Sequence, residues 1–126
     1  MNINFDMVKI SPRMHDAPDY RTLVFKVDFP RKIDIENSDD FWLFFKALAD
    51  GGALNLLVNM ERAEYIDSSG ISVLINTTKL LRKAGGDLVV TTVSQEIKKI
   101  FSIVYLQDFI KFFHSEIEGI NHFRHG

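Results

Sequence analysis

Two short stretches near the start of the chain alternate apolar and polar residues, which is the pattern of a β-strand with one buried face. The first runs from Ile3 to Ile10 and predicts an edge strand. The second runs from Thr22 to Phe29, places every second residue from Leu23 onward on one apolar face, and ends at Pro30. Residues 11–20 contain two prolines and two aspartates, so they predict a loop between the strands.

Two later stretches are almost continuously apolar. Ala53 to Met60 predicts a buried central strand, and Asp87 to Val93 has the pattern expected of a parallel strand that is buried on both faces. Apolar residues at helical spacing predict a helix before the first, starting at Ser38 and closed by Gly51-Gly52, and a second helix over Gly70 to Ala84.

The last third of the chain continues this alternation of helix and strand. Ser94 is placed to cap a third helix, and Phe109 to Phe113 predicts a short last strand. Ser115 to Ile120 predicts the start of a final helix, and residues 121–126 predict a flexible polar tail. The whole order predicts an α/β fold with a mixed sheet, in which an antiparallel edge pair is continued by parallel strands, and about four helices.

Composition narrows the classes of function. The chain has 126 residues, which predicts a single domain over residues 1–126. It has no cysteine, so disulfides and thiol chemistry are excluded, which fits a reducing cytoplasm. The formal charge of -2 gives no case for a nucleic-acid partner, and no apolar run approaches the ~20 residues needed for membrane insertion.

The stretch from Tyr65 to Ile71 lies where the first apolar strand gives way to a helix. A serine at a helix start is exposed, and a helix N-terminus tolerates added negative charge. Ser68 is therefore a candidate phosphate acceptor. The alternative is that Asp67 or a serine simply caps the helix, and position alone favours that capping role.

The run Asp67-Ser68-Ser69-Gly70 follows a buried strand and precedes an apolar helix that ends in Ala84-Gly85-Gly86. In this setting it resembles the signature of STAS domains, the family of the anti-sigma factor antagonists, and the likeness runs from about Val24 to Ile120. The resemblance implies a STAS-like fold. It also implies that Ser68 is the residue phosphorylated by a partner kinase, with Ser69 as the neighbouring hydroxyl.

The resemblance further implies a partner-switching role. The unphosphorylated chain would bind an anti-sigma factor or a related serine protein kinase, phosphorylation of Ser68 would release it, and a protein phosphatase would reset it. The partner-binding residues implied are Asp34, Asp67, Ser68, Ser69 and Gly70. Gly70 is expected to let backbone and partner approach closely, so that Gly70→Val should harm binding more than folding.

One turn departs from the family pattern. A Gly-acidic-aliphatic-Asp turn usually follows the second strand on the partner-facing side; Ile33 and Asp34 match it, whereas Arg31 and Lys32 are two basic residues in its first two places. Two alternative functions stay open. One is a constitutive STAS subunit of a larger assembly, either transporter-associated or a stress-signalling complex. The other is a small hydrolase that uses Ser68 or Ser69.

Catalytic motifs give the hydrolase little support. Neither serine lies in a G-x-S-x-G elbow, and no G-x-x-x-x-G-K-[ST] or G-x-G-x-x-G loop is present. No catalytic residue and no cofactor is predicted, and the chain is expected not to be an enzyme. His114, His122 and His125 lack a cysteine or clustered carboxylates beside them, so a flexible tail is favoured over a metal site.

Overall fold

A computed structural model describes residues 3–10 and 23–125 of the chain. Five strands form the main sheet in the order β1-β2-β4-β6-β7, and two short strands, β3 and β5, pair separately. The strands are β1 (Asn4–Lys9), β2 (Leu23–Asp28), β3 (Lys32–Ile33), β4 (Asn55–Asn59), β5 (Tyr65–Ile66), β6 (Asp87–Thr91) and β7 (Lys111–Phe113). Strand β1 runs antiparallel to β2 and every other pair is parallel, which confirms the predicted mixed sheet.

Four α-helices surround the sheet within these described ranges, as predicted. They are α1 (Ser38–Asp50), α2 (Ser68–Lys83), α3 (Gln95–Ile103) and α4 (Glu116–His125), and a 3-10 turn (Leu106–Asp108) precedes β7. The predicted loop over residues 11–20 lies outside the described residues.

The larger core lies between one face of the sheet and helices α1, α2 and α3. The alternating residues of β2 that were predicted to share a face, such as Phe25 and Val27, point into it. Strands β4 and β6 contribute to the cores on both faces: Leu56 and Leu88 belong to this core, while Leu57 and Val89 belong to the other. The prediction that β6 is buried on both faces is therefore confirmed, and β4 is buried in the same way.

The smaller core lies on the opposite face and is covered by α4. Here the predicted tail is wrong, because α4 continues to His125. Ile120 and Phe123 lie three residues apart, so one face of the helix packs both side chains against Val24, Leu57 and Val89. The packing is close, since a Cβ built on Gly119 would lie 2.8 Å from Leu57 Cδ1.

Candidate functional site

Strands β3 and β5 join the two connections that lead into α1 and α2. Lys32 pairs with Tyr65 and Ile33 with Ile66. At one end the Tyr65 N–H donates to the Arg31 carbonyl at 3.0 Å, and at the other the Asp67 N–H donates to the Ile33 carbonyl at 3.1 Å. The β2–α1 and β4–α2 connections therefore form a single hydrogen-bonded unit, which we call the paired loops (residues 31–37 and 61–67).

Asp67 is the N-cap of α2, which confirms the capping interpretation and starts the helix at Ser68 instead of Gly70. Its Oδ1 accepts from the Ser69 N–H at 2.8 Å and from the Gly70 N–H at 3.2 Å. Its Oδ2 accepts from the Ile35 N–H at 3.2 Å, across the paired loops. One carboxylate thus caps the helix and also binds the backbone of the neighbouring connection.

The two serines of the signature differ in exposure. Ser68 is the first residue of α2 and is exposed, whereas Ser69 is half-buried. Ser69 lines a groove between α1 and α2, together with Ser38, Trp42 and Val73. A macromolecule approaching α2 from its N-terminus therefore meets the Ser68 hydroxyl more readily than that of Ser69.

Asp34 organises the turn that enters α1. Its Oδ1 accepts from the Glu36 N–H at 3.0 Å, and its carbonyl accepts from the Ser38 N–H at 2.8 Å. Asn37 completes the turn, since its Oδ1 accepts from the Asp34 N–H at 2.9 Å and its Nδ2 donates to the Lys32 carbonyl at 2.7 Å. Sequence reasoning missed Asn37, which is the N-cap residue of α1 but bonds with its side chain to the preceding turn and not to the helix. Contact between Asp34 and a partner stays a prediction.

Gly70 is buried under the paired loops. A Cβ on this residue would lie 2.7 Å from Ile33 Cγ2 and from Ile66 Cγ1, and 3.1 Å from the Ile33 carbonyl oxygen. The glycine lets the start of α2 pack directly against β3 and β5. The expectation that Gly70→Val would harm binding more than folding therefore changes, because the added atoms would overlap the protein itself and should cost folding stability. Burial also disfavours direct contact with a partner.

The unusual basic residues at the turn lie at the surface. The Arg31 Nη2 lies 3.0 Å from Glu64 Oε2, and its Nε donates to the same oxygen at 3.1 Å. Both side chains are more than half exposed. Arg31 therefore adds a side-chain link between the same two loops, while the Lys32 residue is exposed.

His122 is a C-terminal histidine whose ring contacts a carboxylate among the described residues. Within residues 3–10 and 23–125, no group of three or more acidic or histidine side chains could hold a metal ion. His122 Nε2 lies 3.8 Å from Asp87 Oδ2. Burial and the nearby Lys111 ammonium lower the pKa of His122, and Asp87 opposes that shift. Over the same described stretches, none of the helices combines the length and apolar character that crossing a bilayer requires.

Comparison with known proteins identifies the family. A model of the STAS domain matches residues 7–119. The chain belongs to the STAS domain family. The anti-sigma-B factor antagonist of Bacillus subtilis (strain 168) is 29% identical over 85 residues, which are 68% of this chain and 77% of that protein.

Solved structures of STAS proteins share the fold. An anti-sigma factor antagonist from Mycobacterium paratuberculosis superposes with a TM-score of 0.74 at 16% identity, covering 98% of this chain and 95% of its own. Unphosphorylated SpoIIAA, an anti-sigma factor antagonist, superposes with a TM-score of 0.66 at 17% identity, covering 96% of this chain and 98% of its own. At these identities the two structures establish the shared STAS fold.

Proposed function

We propose that this STAS protein is an anti-sigma factor antagonist that binds an anti-sigma factor, or a related serine protein kinase, and is released when Ser68 is phosphorylated. The observation that carries the proposal is the position of the Ser68 hydroxyl, which is exposed at the start of α2 beside the paired loops. The names of the curated relatives, anti-sigma-B factor antagonists of Bacillus subtilis and Staphylococcus aureus, support the same role.

The local hydrogen bonds explain why a phosphate here would act strongly. A phosphoryl group adds roughly -1.5 to -2 charges. At many helix N-termini free N–H groups would offset that charge. Here the Ser69 and Gly70 N–H groups already donate to Asp67 Oδ1. The phosphate would therefore lie beside an existing carboxylate with few donors left, and a partner that buried both groups would have to desolvate them.

The chain would contribute only the acceptor in the transfer reaction. The Ser68 oxygen would form a bond to the γ-phosphorus of ATP bound by the kinase as the bond to the ADP oxygen breaks, and the hydroxyl proton would pass to a base of the kinase. A separate phosphatase would hydrolyse the phosphoserine and restore binding. On this proposal the protein works in the cytoplasm, has no catalytic residue of its own, and does not bind nucleic acid.

Phosphosite mapping and binding titrations test the proposal. Incubation with the cognate kinase and ATP should place phosphate on Ser68 and not on Ser69. Phosphorylated protein should bind the kinase at least a hundredfold more weakly than unmodified protein, Ser68→Asp at least tenfold more weakly, and Ser68→Ala about as tightly as wild type. Because the added charge is at the surface, the melting temperature should move by no more than a few degrees.

Ser102→Asp is a matched control, because Ser102 is an exposed helical serine on α3. It should leave the affinity unchanged. Phosphate on Ser69 alone would contradict the assignment of Ser68. Equal affinities for wild type, Ser68→Asp and the phosphoprotein would contradict the switch and favour a constitutive STAS subunit. Turnover of generic esters that is lost in Ser68→Ala would favour the hydrolase.

A further inference from the structure

Ile35 is an aliphatic residue that the paired loops hold out in solvent, with 74% of its surface exposed. Its backbone is fixed, since its N–H donates to Asp67 Oδ2 at 3.2 Å. The next N–H, that of Glu36, donates to Asp34 Oδ1 at 3.0 Å. A single exposed apolar side chain needs no explanation on its own. Ile35, however, lies in the paired loops, in which the partner strand β5 leads through Asp67 to Ser68.

The residue forms a ridge between two depressions. On one side lies the groove of about 320 Å³ between α1 and α2, whose lining includes Ile35, Trp42 and Ser69. On the other side lies a shallow depression of about 430 Å³, whose lining includes Ile35, Tyr65 and Asp67. Ser69 lines the groove and Asp67 lines the depression, so the two sequence neighbours of Ser68 each share one of these surfaces with Ile35.

The charges around this ridge have mostly one sign. The residues that line the two depressions include four carboxylates, those of Asp34, Glu36, Asp39 and Asp67, but only one ammonium, that of Lys32. An apolar side chain surrounded by carboxylates is complementary to an apolar pocket surrounded by arginine and lysine side chains. Interfaces commonly place a buried anchor in such a pocket, inside a polar rim.

We infer that Ile35 is the apolar anchor of the partner interface, and that it fits a pocket on the kinase that is bordered by basic residues. The inference rests on the proposed function, because it names the part of the surface that the same partner recognises. The link from Ile35 to Asp67 holds the anchor and the phosphorylation site in one rigid unit. Ser68 would then lie inside the contact but outside the basic border of the pocket, where an added phosphate meets no partner cation and must lose its water.

Affinity measurements on a background that cannot be phosphorylated test this inference separately from the switch. In Ser68→Ala protein, Ile35→Ser should weaken binding to the purified kinase at least tenfold, because the anchor loses most of its buried apolar surface. Ile35→Val should retain most of the affinity. Ile117→Ser is the matched control, since Ile117 is 72% exposed on α4, and it should change the affinity less than twofold.

The possible results separate the two claims. If the Ser68→Ala protein binds and the Ile35→Ser and Ile117→Ser variants bind equally well, the anchor is wrong while the proposed function stands. If binding does not weaken as salt rises from 50 to 500 mM, the basic border of the pocket is wrong. If neither wild type nor Ser68→Ala protein binds the kinase, the proposed function fails and the anchor fails with it.

Discussion

Two carboxylates, Asp67 and Glu116, each join parts of the chain that are distant in sequence, but they do so with different donors. Asp67 accepts three backbone N–H groups, two from its own helix and one from Ile35. The Glu116 carboxylate contacts side chains of two strands. It accepts a hydrogen bond from Asn59 Nδ2 of β4 at 2.9 Å and lies 3.1 Å from Lys26 Nζ of β2. The backbone donors to Asp67 are positioned by the start of α2 and by the pairing of β3 with β5. The side-chain donors to Glu116 come within reach of its carboxylate because α4 packs against the sheet.

The largest effect is expected from adding a methyl group to the glycine beside each junction. Gly70→Ala would press on two isoleucine side chains and a backbone oxygen and should destabilise the protein by about 1–3 kcal/mol. Gly119→Ala would press on the buried side chains of Leu57 and Thr91, but it would meet no backbone atom and it gains up to about 1 kcal/mol of helix propensity. Urea denaturation should therefore show a smaller loss of stability for Gly119→Ala than for Gly70→Ala. Equal losses in both variants would remove the distinction between the two junctions.

Removing the carboxylates should give the next largest difference. Asp67→Ala loses a helix cap and the link to Ile35 and should cost about 2 kcal/mol. Glu116→Ala removes a partly exposed ion pair and one hydrogen bond and should cost about 1 kcal/mol or less. Hydrogen exchange gives a more direct test. The amide of Ile35 should exchange faster in Asp67→Ala than in wild type, and at the wild-type rate in Glu116→Ala. Unchanged exchange at Ile35 in both variants would contradict the link.

The exposed ion pair between Arg31 and Glu64 should contribute less to stability than either carboxylate junction. In a double-mutant cycle, Arg31→Ala and Glu64→Ala should show a coupling free energy of about 0.2–1 kcal/mol, because water screens both groups. The coupling should fall as salt is added. A coupling larger than the cost of Asp67→Ala would mean that side chains, and not the backbone hydrogen bonds, hold the loops together.

The smallest effect is expected at His122, where opposing influences act on one ring. Burial and Lys111 lower its pKa in the folded state, so the unfolded chain binds the proton more readily. Stability should therefore fall as the pH drops below the unfolded value of about 6.5. Melting temperatures at pH 7.5 and 5.5 should differ more for wild type than for His122→Gln. If wild type were instead the more stable protein at pH 5.5 relative to His122→Gln, the carboxylate of Asp87 would have the largest influence on the pKa of His122.

The same contrast explains which features the sequence could predict. The cap of α2 was predictable because Asp67 is adjacent to the helix that it caps and capping is a local interaction, although the helix begins two residues before the predicted Gly70. The paired loops were not predictable, because strands of two residues carry no periodicity. The link from Asp67 to Ile35 spans 32 positions and depends on that pairing.

The extent of α4 was missed for a different reason. Residues 121–126 are mostly polar, and polar composition at a chain end resembles a tail. The signal that was present is the spacing of Ile120 and Phe123, with Gly119 beside them where the helix must approach the sheet closely. Two apolar residues are too few to establish a helical period, so the helix could be recognised only once the uncovered face of β4 and β6 was known.

That uncovered face also matters while the protein is being made. Helix α4 follows all five strands of the main sheet in sequence, so Val24, Leu57 and Val89 are synthesised before the residues that cover them. At roughly 5–20 residues per second, the stretch from His114 to His125 takes about a second to appear. During that interval the helix that covers this face of the sheet does not yet exist. We expect a chain truncated after β7 to leave Val24, Leu57 and Val89 without the cover that α4 gives them, and therefore to bind chaperones or to aggregate.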